Sequence, residues 1–180
     1  MSVLTDYFAA GSDDVAATAI GHADGQTGLL ELTPEDVAAG KALYRVSPVE
    51  ATRPRVQVAQ SGTLVVQSKG VDPFDLARLE EMLTGRSHEE VCADPRHAAM
   101  IAPARPEDAD EGMVLSVTDA LRDALASLEP SALPEVARHW ASVEFDATVA
   151  ESVTLFLVAL TELARRAVAD HNRLYCAVAY

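Results

Sequence analysis

The chain has 180 residues, with 28 acidic side chains against 14 basic ones and a formal net charge of −14 at pH 7. So large an acidic excess argues against nucleic-acid phosphate and anionic lipid as partners, since both would be repelled. No apolar run is long enough to cross a bilayer, the first residues lack the basic and apolar segments of a secretory leader, and two cysteines do not make a disulfide scaffold. The expectation is a cytoplasmic protein forming one domain over residues 1–180, with Cys92 and Cys176 as free thiols.

Ser2–Phe8 reads as a strand broken by Gly11, and Ser12 as the cap of a helix over Asp13–Ile20 with two acids in its first turn. Gly21 to Gly28 is rich in turn residues and Leu29–Leu32 is a brief strand. Thr33-Pro34-Glu35-Asp36 starts a helix that ends near Leu43. Charge then changes sign. Residues 1–40 carry Asp6, Asp13, Asp14, Asp24, Glu31, Glu35 and Asp36 with no Lys or Arg, whereas residues 41–69 carry Lys41, Arg45, Arg53, Arg55 and Lys69 against Glu50. Either this basic segment packs on the acidic part of the same domain, or it forms a site for an anionic ligand or an acidic partner patch. In the second case Arg45, Arg53 and Arg55 are the candidate binding residues.

Val56–Ala59 and Thr63–Gln67 flank Gln60-Ser61-Gly62 as a hairpin. Phe74–Thr84 is a helix with Phe74, Ala77 and Leu79 to Leu83 on its apolar side, and Gly85 stops it. Ser87-His88-Glu89-Glu90 is a capping box opening a short helix that Asp94-Pro95 ends. Ala98–Ala102 and Met113–Val117 read as antiparallel strands around an acidic, proline-containing loop. Thr118-Asp119 caps a helix over Ala120–Leu128, and Ser131 begins another towards Trp140.

The last third organises the rest. Val149, Val153, Phe156, Leu157, Leu160, Leu163, Ala164, Ala167 and Val168 recur at spacings of three and four, which is one face of a long helix. Leu155, Val158 and Ala159 are apolar off that face, as expected of a helix buried between layers. Asp146 is its expected cap, His171-Asn172 its stop with Asn172 as the left-handed residue, and Glu162 with Arg166 an ion pair one turn apart. Arg173 to Tyr180 then reads as a strand buried on both faces. Helices and strands do not alternate regularly, so the expected class is α+β: a mostly antiparallel or mixed sheet packed by several helices, closed by the long helix and an interior strand.

Motifs with chemistry are few. His88 and Cys92 could share one helical face with His97 nearby, but a zinc site needs a fourth ligand that only Asp94 or a distant residue could give. The plain alternative is a surface histidine beside a buried cysteine. Cys92 has a histidine one turn away, whereas Cys176 sits in an apolar strand as an inert thiol. The acid pairs Asp13-Asp14, Glu80-Glu81 and Glu89-Glu90 read as solvated surface, because neighbouring residues on a helix do not face each other. The Glu107–Glu111 loop lacks the spacing and central glycine of a calcium loop, and no phosphate-binding glycine pattern occurs. No metal or cofactor is expected.

Several stretches in order carry a resemblance. They are Met1–Ala9 with Asp6-Tyr7-Phe8 followed by the Ser-Asp helix, Gly70-Val71-Asp72-Pro73, Leu83-Thr84-Gly85-Arg86, the long helix with a basic patch at Arg165-Arg166, and Arg173-Leu174-Tyr175-Cys176-Ala177-Val178. Together these are similar to small acidic proteins of high-GC actinobacteria and, more distantly, to the YfbM-like family of unknown function. The alanine- and arginine-rich, lysine-poor composition agrees with such a source. The resemblance implies an α+β fold and transfers no catalytic residue; residues 41–69 depart from it most. The functional expectation is a non-enzymatic cytoplasmic protein that binds another protein, with an immunity-type inhibitor of a basic toxin as one form. The alternative is a small enzyme or anionic-ligand-binding protein with an unrecognised pocket. Oligomeric state is not read from the sequence.

Overall fold

The computed structural model describes residues 4–17, 55–58, 64–103 and 113–179. The described elements run β1 (Leu4–Ala10), α1 (Asp13–Ala17), β2 (Arg55–Val58), β3 (Leu64–Lys69), α2 (Leu76–Thr84), α3 (His88–Cys92), β4 (Met100–Pro103), β5 (Met113–Ser116), α4 (Asp119–Ser127), α5 (Leu133–Glu144), α6 (Ala150–Ala169) and β6 (Arg173–Ala179). The fold is α+β. The described strands form a six-stranded sheet in the order β2-β3-β1-β6-β5-β4, and the pairings among them are antiparallel.

Side-chain alternation sorts the sheet into two faces. On one face Tyr7 lies opposite both Val66 and Cys176, and Leu115 lies opposite Cys176. All four join the main core with Phe156, Leu157, Leu160 and Leu163 of α6. On the other face Phe8, Ala16, Val114 and Tyr175 form a second cluster, with the Phe8 and Tyr175 rings stacked at 5.7 Å. Strand β6 is buried on both sides because it lies between β1 and β5 with a cluster above and below: Leu174, Tyr175, Cys176 and Val178 are all buried. Burial pushes the Cys176 thiol and the Tyr7 hydroxyl well above their usual ranges.

Helix α6 spans about 30 Å and lies against β1, β3 and β6, with α4 and α5 packed along it and α2 packed on α4. Its sheet-facing positions follow the expected periodicity. Ala159 and Thr161 are buried as well, which is what flanking by α4 and α5 requires. Trp140 of α5 is fully buried against Phe145 and Phe156. No helix among the described residues is long and apolar enough to cross a membrane.

The local signals hold at most ends. Gly85 takes a left-handed φ of 72° at the close of α2, Ser87 and Glu90 form the capping box of α3, and the Thr118 hydroxyl caps α4. Five expectations are corrected. Helix α2 begins at Leu76, leaving Phe74 outside it and 62% exposed. The 3₁₀ turn Pro130–Ala132 precedes α5, which starts at Leu133 rather than Ser131. Asp146 accepts from the Thr148 amide at 2.8 Å, so it caps the short turn Ala147–Val149 and not α6. His171, not Asn172, is the left-handed residue, with φ 56°. The Asn172 amide reaches back to the Ala167 carbonyl at 2.7 Å and the His171 amide to Val168 at 3.2 Å, a pairing that places the left-handed turn one residue after the cap. Val168 faces an open groove beside α4 instead of the core. The expected strand Leu29–Leu32, the helix from Thr33 and the Glu107–Glu111 loop lie outside the described residues.

Candidate functional site

Glu80 and Glu81 are neighbours on α2 with opposite fates. Helical spacing sends Glu81 outward, where it pairs with Arg78 at 2.6 Å, and turns Glu80 inward to 1% exposure. The expectation of a solvated acid pair is therefore corrected. One Glu80 oxygen accepts from Arg86 Nη1 at 2.6 Å and the other from the Thr118 hydroxyl at 2.5 Å. Arg86 also reaches Asp94 at 3.2 Å and the Glu90 carbonyl at 2.9 Å. Thr118 in turn accepts from the Leu121 amide. A carboxylate so deep in the protein is tolerable only when paired and hydrogen-bonded in this way.

The segment from Ala93 to Ala99 straps α3 to β4 and sends its side chains to separate places. Asp94 meets Arg86. Arg96 crosses to the second sheet face, where its Nη1 donates to Asp13 at 3.1 Å and its guanidinium lies 5.5 Å from the Tyr175 ring centre. The Tyr175 hydroxyl donates to the same Asp13 oxygen at 2.6 Å, with Arg173 at 3.6 Å. The Tyr175 hydroxyl and the two arginines hold the Asp13 carboxyl below the usual range, and burial followed by the hydrogen bond to Asp13 raises the Tyr175 hydroxyl. Asp13, read from sequence as solvated, thus ties α1 to β6 and to the strap. His97 stands edge-on to Phe74 at 6.3 Å, and burial lowers its pKa, with His88 adding to the effect and Glu80 and Asp94 opposing it. Behind it, Glu80, Ser116, Thr118, Pro73, Leu76 and Leu121 help enclose a chamber of about 10 Å³. Ala98 follows with a left-handed φ of 46°, a strained backbone for a residue with a Cβ.

A different arrangement lies at the corner before α2. Asp72 Oδ1 accepts from the Phe74 and Asp75 amides, and Asp75 Oδ2 accepts from the Asp72 amide. Here carboxylates face carboxylates. Burial first, then the negative charges of Asp72 and Glu144, push Asp75 up to about 6. Arg78 feels Glu144 electrostatically, but its guanidinium is held by Glu81. Phe74, beside Asp75, is the exposed apolar residue of this corner among the described residues, at 62%.

The residues singled out from sequence fare unevenly. Arg45 and Arg53 lie outside the described residues, and Arg55 is the first residue of β2, opposite Gln67. His88 Nε2 and Cys92 Sγ are 3.5 Å apart, and Cys92 is exposed rather than buried because its side of the short α3 faces solvent. His97 is turned to Phe74 instead of to that pair. Among the described residues no group of three or more His, Cys, Asp or Glu could hold a metal. Arg165 is no surface patch: its guanidinium donates to the Ala126 and Leu128 carbonyls at 3.2 and 2.6 Å, clamping α6 to the end of α4. The open groove of about 660 Å³ by Arg122 and His171 contains an arginine already taken up by Asp119, Asp123 and the Asn172 carbonyl. Glu80 and Asp75 escaped the sequence reading; the one available signal was the Asx-type spacing of Asp72 and Asp75. No protein-family model matches this chain, and neither the curated proteins nor the solved structures include a match.

Proposed function

We propose that the protein acts by binding a basic protein, with the corner formed by Asp72, Phe74, Asp75 and Glu144 as its contact surface. What supports this reading is crowded like charge: among the described residues the Asp75 carboxylate has a backbone amide but no cation as its partner, and burial with the charges of Asp72 and Glu144 pushes it up to about 6. Like charges held together cost the fold stability, and a cationic side chain from a partner relieves that cost. Exposed Phe74 supplies an apolar anchor beside these acids, as in a contact surface with an apolar centre and a polar edge. The net charge of −14 steers a basic partner at long range. An inhibitor of a basic toxin is one concrete form of this function.

The test is affinity capture from the native host at low salt, followed by elution with rising salt, in parallel with a Phe74→Ser, Glu144→Lys double variant. A basic protein held by the wild type, released by salt and lost by the variant is the expected result. Capture of nothing, or capture that neither salt nor the variant changes, would sink the proposal.

A further inference from the structure

The chamber behind His97 borders that corner through Phe74 and Pro73, and its own chemistry defines its occupant. Its volume is about 10 Å³, the room one water molecule needs and too little for a hydrated ion or an organic ligand. The Glu80 charge is already answered by Arg86 at 2.6 Å, so the chamber has no strong call for a cation. What it has is unmet hydrogen-bonding capacity. Each Glu80 oxygen receives one protein donor, and each can accept a second. The Ser116 hydroxyl is fully buried and spends its hydrogen on the Arg96 and Ala99 carbonyls, which leaves its oxygen free to accept. His97 lines the same space.

We infer that the chamber is a hydration site in which one water donates to Glu80 and Ser116 and accepts from the His97 ring. The water joins three elements: α2 through Glu80, β5 through Ser116 and the strap through His97. It takes up acceptor capacity that the protein's own donors leave over.

A crystal structure resolving ordered solvent decides the matter. A single water peak is expected at hydrogen-bond distance, about 3 Å, from Glu80 and from a His97 ring nitrogen. A dry chamber, or a His97 nitrogen bonded directly to Glu80, would overturn the inference. In solution, a long-lived nuclear Overhauser contact between the His97 ring protons and water is expected, and its absence would count equally against the site. Both measurements use the unmodified protein, so neither depends on a variant folding.

Discussion

Glu80 and Asp75 are five positions apart, yet the chain treats the two acids in opposite ways. Glu80 is almost wholly buried and is met by Arg86 and Thr118. Asp75 is half-buried and is met by Asp72 and Glu144, which share its sign. The difference teaches how to divide the acidic excess of this chain. Acids answered by arginines from other elements, such as Glu80 and Asp13, hold the architecture together. Acids crowded against other acids weaken it, and under the proposed function they are the ones a partner would neutralise.

The largest effect expected comes from Arg86→Ala. That change strands the Glu80 carboxylate in the interior with only the Thr118 hydroxyl, at a cost of about 3 kcal/mol, the lower part of the range for a broken buried pair because Arg86 is itself partly exposed. Urea unfolding measures it, and a shift in midpoint worth less than about 1 kcal/mol would erase the contrast with Asp75.

Asp75→Asn should act in the other direction. The folded protein holds the Asp75 proton to about pH 6, whereas the unfolded chain releases it near the ordinary value of 3.8. The folded state therefore binds more protons between these values, and stability falls as pH rises through that window. Asn keeps an oxygen for the Asp72 amide and carries no charge. The variant is expected to remove the decline and to be about 1 kcal/mol more stable above pH 6, after allowing for solvent screening at a half-exposed site. Stability measured across pH 4 to 7 (roughly the window that the two pKa values define) checks the sign; an Asn variant less stable than wild type at neutral pH would contradict it.

Glu162→Gln is the small control. Its pair with Arg166 is 2.9 Å long but lies on the surface of α6, so the loss should stay below about 0.5 kcal/mol by the same urea assay. A cost approaching that of Arg86→Ala would mean that position, rather than burial, governs the worth of these pairs.

Much of the scaffold was legible because its signals are local. Gly85, the Ser87 capping box and Thr118 mark helix ends within a few residues, and the three-and-four spacing from Val153 to Ala167 marks the sheet-facing side of α6. The alternating run from Leu174 to Val178 announced a strand covered on both faces, which its place between β1 and β5 supplies. The candidate site was not legible to the same degree. Phe74 was read as a helix face and is exposed, Cys92 as buried and is exposed, and Glu80 as exposed and is buried.

The amino-acid sequence by itself determined the secondary-structure periods, most of the helix caps, the acidic balance and the α+β class, because each follows from neighbours along the chain. Only the tertiary structure decided which charges are answered. Asp13 meets Tyr175 across 162 positions and Glu80 meets Thr118 across 38. Such partners are chosen by the packing of strands and helices, and that packing leaves no mark in the residues next to either acid.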